Sequence, residues 1–241
     1  LKQRSASPVS AAKFAAEVEV IVVPDLHGCS AALEAILLHA GFVDAQGKPL
    51  PSALHLVQLG DLIDRGPQPR LCVTRLMSLK KAAKGRVHVL KGNHEAMALE
   101  ALQDPAARPR WLQNGGTSTL RDYDGSHQKL LKPGGAHFSW LEALPLSLEI
   151  HGVLFCHAGL GRKRQGQLTE AGLLWDRPPL SRGPYQAVVC GHTRTPSGRI
   201  EVKAGVYACD LGLGYEPAGA LEYLRLKIRP QGLQAVICRI R

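Results

Sequence analysis

Aromatic side chains are scarce in this chain of 241 residues, at 5%. Proteins that hold single-stranded nucleic acid combine a basic groove with aromatic platforms. The few aromatics here show no such interleaving, so a basic nucleic-acid-binding module is the reading least supported, despite a formal net charge of +10. Long apolar runs are missing as well. None approaches the ~18–20 residues a membrane helix needs, and no membrane partner is expected. There is no Cys-x-x-Cys among the six cysteines, which argues against a zinc ribbon or a thioredoxin-type redox motif. Several of the cysteines sit in apolar, strand-like runs, where a thiol behaves as a small hydrophobe; they read as reduced thiols of a cytoplasmic protein. Acids are outnumbered, 20 against 30 Lys and Arg, so the field of the protein favours anionic partners such as phosphates or acidic peptides. Internal repeats and low-complexity tracts are absent.

Apolar residues make up 45% of the chain, enough to bury a substantial core. Residues 1–17 are Ser- and Ala-rich and basic, with Lys2, Arg4 and Lys13 and no acid before Glu17. That composition faintly resembles an organelle transit segment, but the simpler expectation is a flexible basic N-terminus. Beyond it, β-branched and apolar runs at Val18–Val23, Leu54–Leu59 and Arg86–Leu90 read as buried strands. Helical spacing follows each, over Ser30–Ala40, from Pro69 to about Lys84, and over Glu95–Gln103. Three strand–helix alternations argue for a parallel sheet with crossover helices. Residues 104–146, with Pro105, Pro109 and Pro133, several glycine turn points and Trp111, Tyr123, Phe138 and Trp140, break the pattern and read as a helical and loop cap insert. Strands resume at Ser147–Ile150, Val153–Cys156, Ala187–Cys190 and Val206–Cys209, and Leu221–Ile228 with Leu233–Ile240 reads as a hairpin. No helix pattern separates the later strands, so a second, mixed sheet is expected, with residues 18–241 as one α/β domain.

Polar clusters recur where these strands end: PDLHG at 24–28, GDLIDRG at 60–66, GNHE at 92–95, HAG at 157–159 and GHT at 191–193. In an open α/β sheet the carboxyl ends of parallel strands share one edge, where ligands bind. Five groups of Asp, Asn and His would meet there. Oxygen and imidazole donors without thiolate suit Mn, Fe or Zn. They are too many for one tetrahedral ion, and two ions bridged by one carboxylate would use them all.

These five motifs in this order, across about Val20 to Gly214, resemble the phosphoprotein phosphatase family of metallophosphoesterases, whose calcineurin-like fold has two β-sheets sandwiched by helices. WLQNGG at 111–116 and LWDR at 174–177 further resemble its bacterial and phage serine/threonine phosphatase branch. The resemblance implies roles residue by residue. Asp25 and His27 match ligands of a first metal, Asp61 the bridging carboxylate, and Asn93, His157 and His192 ligands of a second. His94 matches the catalytic imidazole and Asp64 the carboxylate that orients it. Arg65 and Arg177 match the guanidiniums that hold phosphate oxygens. Glu95 is expected to be an acid favoured by a helix N-terminus, and Asn114 to shape the cap. The basic run Arg162, Lys163 and Arg164 would either draw acidic substrate or form a solvated loop.

The family usually carries glycine where this chain has Pro24, which fixes φ and lacks an N–H. Cys156 and Cys190, each next to a matched ligand, are expected to point into the core.

The activity implied is dimetal hydrolysis of a phosphomonoester, with two Mn²⁺ the expected ions (Fe or Zn the alternatives). A shared water, acidified by the ions, would attack phosphorus in line, and His94 would protonate the departing alkoxide. A phosphorylated protein is the expected substrate. Symmetrical diadenosine tetraphosphate hydrolases share the core but typically carry Asp at the position of Glu95 and lack a WLQNGG-like stretch; they are the alternative.

Overall fold

The computed structural model describes residues 9–10, 14–160, 168–178, 180–215 and 221–240. The basic run Arg162 to Arg164 lies outside them. The chain opens with β1 (Val9–Ser10) and β2 (Val18–Val23), then alternates α1 (Ser30–His39), β3 (His55–Gln58), α2 (Pro69–Ala82), β4 (Val87–Val89) and α3 (Asn93–Gln103). β2, β3 and β4 pair in parallel, as the alternation predicts. Each is buried over most of its length, which is why apolar residues run together in β2 and β3 instead of alternating. Pro69 opens α2 at a position where the missing N–H costs nothing.

The cap, between α3 and the next strand, is a chain of short helices: α4 (Arg108–Trp111), α5 (Thr117–Asp122), α6 (Gln128–Leu131) and α7 (Ala136–Glu142). Its Trp111, Tyr123, Leu131, Phe138 and Leu141 are buried in the same core as β2 and β3. Each such side chain contributes ~1.5–3 kcal/mol of burial, which ties the cap to the sheet below it.

The second half supplies β5 (Ser147–Ile150), β6 (Val153–Cys156), α8 (Glu170–Trp175), β7 (Ala187–Cys190), β8 (Glu201–Lys203), β9 (Val206–Ala208), β10 (Leu221–Arg229) and β11 (Gly232–Ile240). Two mixed sheets result, in the orders β11-β10-β2-β3-β4 and β1-β5-β6-β7-β9-β8. Helices flank them, the arrangement the resemblance implies. Several expectations change. The C-terminal hairpin extends the first sheet, with β10 antiparallel to β2; Leu224, Leu226 and Ile228 on one face and Tyr223 on the other are buried there. Helix α8 does separate β6 from β7, held at its start by Thr169, whose hydroxyl accepts the Gly172 N–H at 3.1 Å. β8 escaped sequence reading because its residues are exposed and carry no alternation. Within the segment expected to be flexible, Val9 and Ser10 pair in parallel with β5, whose edge offers unpaired backbone groups. α3 begins at Asn93, two residues earlier than expected.

No described helix is long and apolar enough to cross a membrane. All six cysteines are free. Cys156 and Cys190 are buried with Leu154, Leu173 and Val188, as expected of core residues.

Candidate metal centre and active site

The strand ends converge. Asp25 and His27 follow β2, Asp61, Asp64 and Arg65 follow β3, Asn93 and His94 open α3 after β4, His157 follows β6 and His192 follows β7. All of these except Arg65 and His192 are almost fully buried. His27, Asp61, Asp64, Arg65 and His192 all have φ between 41° and 71°. Left-handed backbone at a non-glycine residue costs on the order of 1–3 kcal/mol and persists only where its surroundings enforce it. Gly191 is required for another reason: a Cβ there would overlap Asp25 Oδ1.

Asp61 stands at the centre. Its Oδ2 lies 3.5 Å from His27 Nε2 and 3.9 Å from His94 Nε2, and its Oδ1 lies 3.4 Å from His157 Nε2. The donor atoms of Asp25, Asp61 and His157 lie close enough together to hold an ion, as do those of His27, Asp61 and His94. Asp61 is common to both groups, the place a bridging carboxylate would take.

The tautomers follow from carbonyl partners. A carbonyl only accepts, so His157 Nδ1, 2.9 Å from Leu59 O, carries the proton. Its Nε2 is then a bare lone pair, yet it sits 2.8 Å from Asn93 Oδ1 and also faces Asp61 Oδ1. Asn93 Oδ1 is approached from its other side by His192 Nδ1 at 2.9 Å. His27 Nδ1 likewise donates to Ile63 O at 3.0 Å, leaving Nε2 to accept from the Arg65 guanidinium. Buried Asp25 Oδ1 and His192 Nε2 have no hydrogen-bond partner. Converging acceptors with no hydrogen between them are costly in a dry site and are satisfied by cations; the residues present fit divalent metal ions.

The electrostatics agree. Burial, with Asp210 and Asp61 nearby, pushes Asp25 well above the carboxylate range, as expected where negative charge is crowded. Burial lowers His27 to about 3 and His192 to about 3, the latter helped by His157, and it lowers His157 as well. These rings stay neutral and keep their lone pairs for ligation. His94 behaves oppositely. Burial alone would lower it, but the Asp61 charge and the bond to Asp64 outweigh burial and raise it. Its Nδ1 lies 2.7 Å from Asp64 Oδ2.

The remaining expectations fare differently. Arg65, matched to phosphate, instead rests on His27 Nε2 with its guanidinium 4.5 Å from the centre of the Tyr215 ring; to reach phosphate it must leave that nitrogen. Arg177 is exposed just past α8, near enough for its charge to depress His192. Asn114 is exposed and donates to Arg110 O at 2.8 Å, inside the cap. Pro24 keeps its carbonyl in use, accepting from Gln58 Nε2 at 3.4 Å, and Asp25 still reaches the cluster.

Glu95 does more than complement a helix dipole. Its carboxylate accepts the backbone N–H groups of Gly92, Asp61 and Leu62, each at 2.8 Å, and ties the β3 and β4 loops together. Sequence reasoning missed Asp210, a buried carboxylate that burial and Asp61 push upward. Its signal was the one already used for the others, a polar residue just after a strand. Trp111 and Thr119 were missed too; both bond to Asp64.

Residues 18–215 match the sequence profile of the calcineurin-like phosphoesterase family. Among curated proteins, the chain is 26% identical over 234 residues to Shewanella-like protein phosphatase 1 of Plasmodium berghei, covering 76% of this chain and 63% of that one. It is 38% identical over 97 residues to serine/threonine-protein phosphatase 1 of Salmonella typhimurium, covering 40% of this chain and 38% of the relative. It is also 31% identical over 143 residues to a symmetrical bis(5'-nucleosyl)-tetraphosphatase of Acidovorax ebreus, covering 57% and 43%. The chain therefore spans less than two thirds of the length of each. Among solved structures, the cold-active protein-tyrosine phosphatase of a psychrophile Shewanella sp. superposes with a TM-score of 0.67 at 18% identity, over 90% of this chain and 80% of that one.

Proposed function

This chain belongs to the calcineurin-like phosphoesterase family, and from that premise we propose that it is a dimetal phosphomonoester hydrolase acting on serine/threonine phosphoproteins. The observation that carries the reading is the His94–Asp64 pair beside the converging acceptors. His94 Nδ1 is held at 2.7 Å by Asp64, and Nε2 is turned toward Asp61 at 3.9 Å, into the space the other ligands share.

Asp25, His27 and Asp61 would hold one ion, and Asp61, Asn93, His157 and His192 the other. Divalent ions there supply charge neutralisation and a water acidic enough to react near neutral pH; the oxygen and nitrogen donors suit Mn²⁺. His94 then acts as general acid. As the ester P–O bond breaks, the electron pair goes to the leaving oxygen, and the proton on Nε2 goes with it. Asp64 holds the ring and stabilises its charge. Arg65, released from His27, and Arg177 hold phosphate oxygens through bidentate forks. Free thiols support a reducing, cytoplasmic setting.

The names of the phosphatase relatives and the WLQNGG stretch favour a phosphoprotein over a dinucleotide. The test is a panel of phosphoserine peptide, diadenosine tetraphosphate and single-stranded RNA. Turnover greatest on the peptide is expected, and preference for the dinucleotide would replace this reading by the alternative. His94→Asn should cost ~10²–10⁴-fold on the peptide and far less on p-nitrophenyl phosphate, whose leaving group departs without a proton. Equal losses on both would remove His94 from the acid role.

A further inference from the structure

Asp64 receives more than the histidine it orients. Trp111 Nε1–H points between its two oxygens, 3.0 Å from Oδ1 and 2.9 Å from Oδ2. The Thr119 hydroxyl donates to Oδ1 at 2.6 Å and accepts the Asp64 backbone N–H at 2.9 Å. One hydroxyl therefore fixes both the side chain and the main chain of Asp64. Asp64, Trp111 and Thr119 are no more than 1% exposed, so water does not compete for these bonds. Asp64 and Arg65 both have left-handed backbone, with φ of 71° and 67°. The second is held as well: the Arg65 N–H donates to Gly115 O at 3.1 Å.

Every one of these grips comes from the cap, across 50 or so residues of intervening chain. They also account for the spacing of a motif that the ligand assignments left unexplained. Trp111 ends α4, Leu112–Gly116 form one wide turn, and Thr119 lies in α5. Gly115 has φ of +103°, and a Cβ there would come within 2.7 Å of Arg65 Cγ. A Cβ on Gly116 would come within 2.6 Å of the Trp111 ring. The two glycines let the turn close against Arg65 on one side and the indole on the other.

We propose that Trp111 and Thr119 are positioning residues for the reaction, through which the cap sets the direction of Asp64 and hence of His94. The inference rests on the general-acid reading of His94. It says that the cap is part of the catalytic apparatus and not only a cover. An imidazole swung a few tenths of an ångström out of line transfers its proton less well, and the loss appears where the leaving group needs that proton.

The test uses Trp111→Phe, Thr119→Val and Thr119→Ser in the full chain, with melting temperature recorded for each. The first readout is the downfield proton resonance of His94 Nδ1–H in metal-free protein, which does not depend on activity. It should disappear in Asp64→Asn, shift in Trp111→Phe and Thr119→Val, and return to the parent position in Thr119→Ser. The second is turnover on phenyl phosphate against p-nitrophenyl phosphate in Mn²⁺-loaded protein. Trp111→Phe and Thr119→Val should lose ~10-fold or more on the first and less than ~3-fold on the second. Trp111→Phe added to Asp64→Asn should cause no further loss, because both act through one carboxylate. An unmoved His94 resonance, equal losses on the two esters, or additive losses in the double variant would overturn the proposal. A parent inactive on both esters would count against the proposed function alone, and the proton resonance would still decide the positioning role.

Discussion

The two sheets contribute unequally to the cluster. Loops on the first carry Asp25, His27, Asp61, Asp64, Arg65, Asn93 and His94, while the second adds His157 and His192. The manner of support differs more than the number. On the first sheet, strained loops have their backbone N–H groups taken by dedicated side chains: Glu95 holds Asp61 and Leu62, and Thr119 holds Asp64. On the second, the histidines are anchored by atoms of the first. Leu59 O accepts the His157 Nδ1–H at 2.9 Å, and Asp25 Oδ2 accepts the His192 N–H at 2.8 Å. The first sheet, with the cap packed against it, is thus a self-supporting half of the site, and the second is docked onto it. Damage to the first should spread to both halves, whereas damage to the second should stay local.

Metal counting on single variants is the strongest way to break this comparison. Asp61→Asn should lower the content of both ions and cause the largest loss of turnover among ligand changes. His192→Asn should remove one ion and leave the other, with an effect on metal affinity larger than the ~10–100-fold typical of outer-shell partners. If Asp61→Asn keeps two ions per chain, the bridging role is wrong; if His192→Asn sheds both, the second sheet is not merely docked.

Glu95→Gln sharpens the same contrast through stability. The amide keeps the length of the side chain but places an N–H against backbone donors, leaving at least one of three buried N–H groups without an acceptor. A loss of ~1–3 kcal/mol in chemical denaturation is expected, together with weaker metal binding at both positions. Unchanged stability would show that the β3 and β4 loops hold their shape without it.

The smallest expected effect tests whether the opposite end of the first sheet is independent of the site. His55 and His88 stack there with ring centres 5.5 Å apart, and His55 Nδ1 lies 3.2 Å from His88 Nε2. Burial, then His55, depresses His88 to about 4 from 6.5. A depressed histidine favours the neutral ring in the fold, so its stabilisation is complete above pH ~6.5 and is lost as pH falls toward 4. About 2 kcal/mol of stability should disappear across that window in the parent and less in His88→Phe, with ion content at pH 7 the same in both. An identical pH dependence in the two proteins would remove His88 as the cause.

What could be read from the chain alone follows the same division. Asp25, Asp61, Asn93, His157 and His192 each stand directly after an apolar strand run, and periodicity places such residues at one sheet edge without further information. Their supporters could not be found that way. Glu95 looks like any acid in a first helical turn, and its three backbone partners lie in two loops that only tertiary contact brings together. Thr119 sits in a six-residue helix with no unusual neighbour in sequence. The position of Arg65 on His27 depends on a left-handed φ at a non-glycine residue, for which sequence carries little signal. The C-terminal hairpin was legible as a hairpin, but its sheet was not, because strand pairing with β2 spans about two hundred residues of chain.

The central claim is that these acceptors hold two divalent ions and that hydrolysis needs both. Metal-free protein titrated with Mn²⁺, with bound metal and turnover of a phosphoserine peptide measured in the same samples, tests it most directly. The account predicts no hydrolysis without metal, saturation at two ions per chain, and turnover that rises with occupancy of the second ion. Hydrolysis by the metal-free chain, or full turnover at one ion per chain, would contradict it.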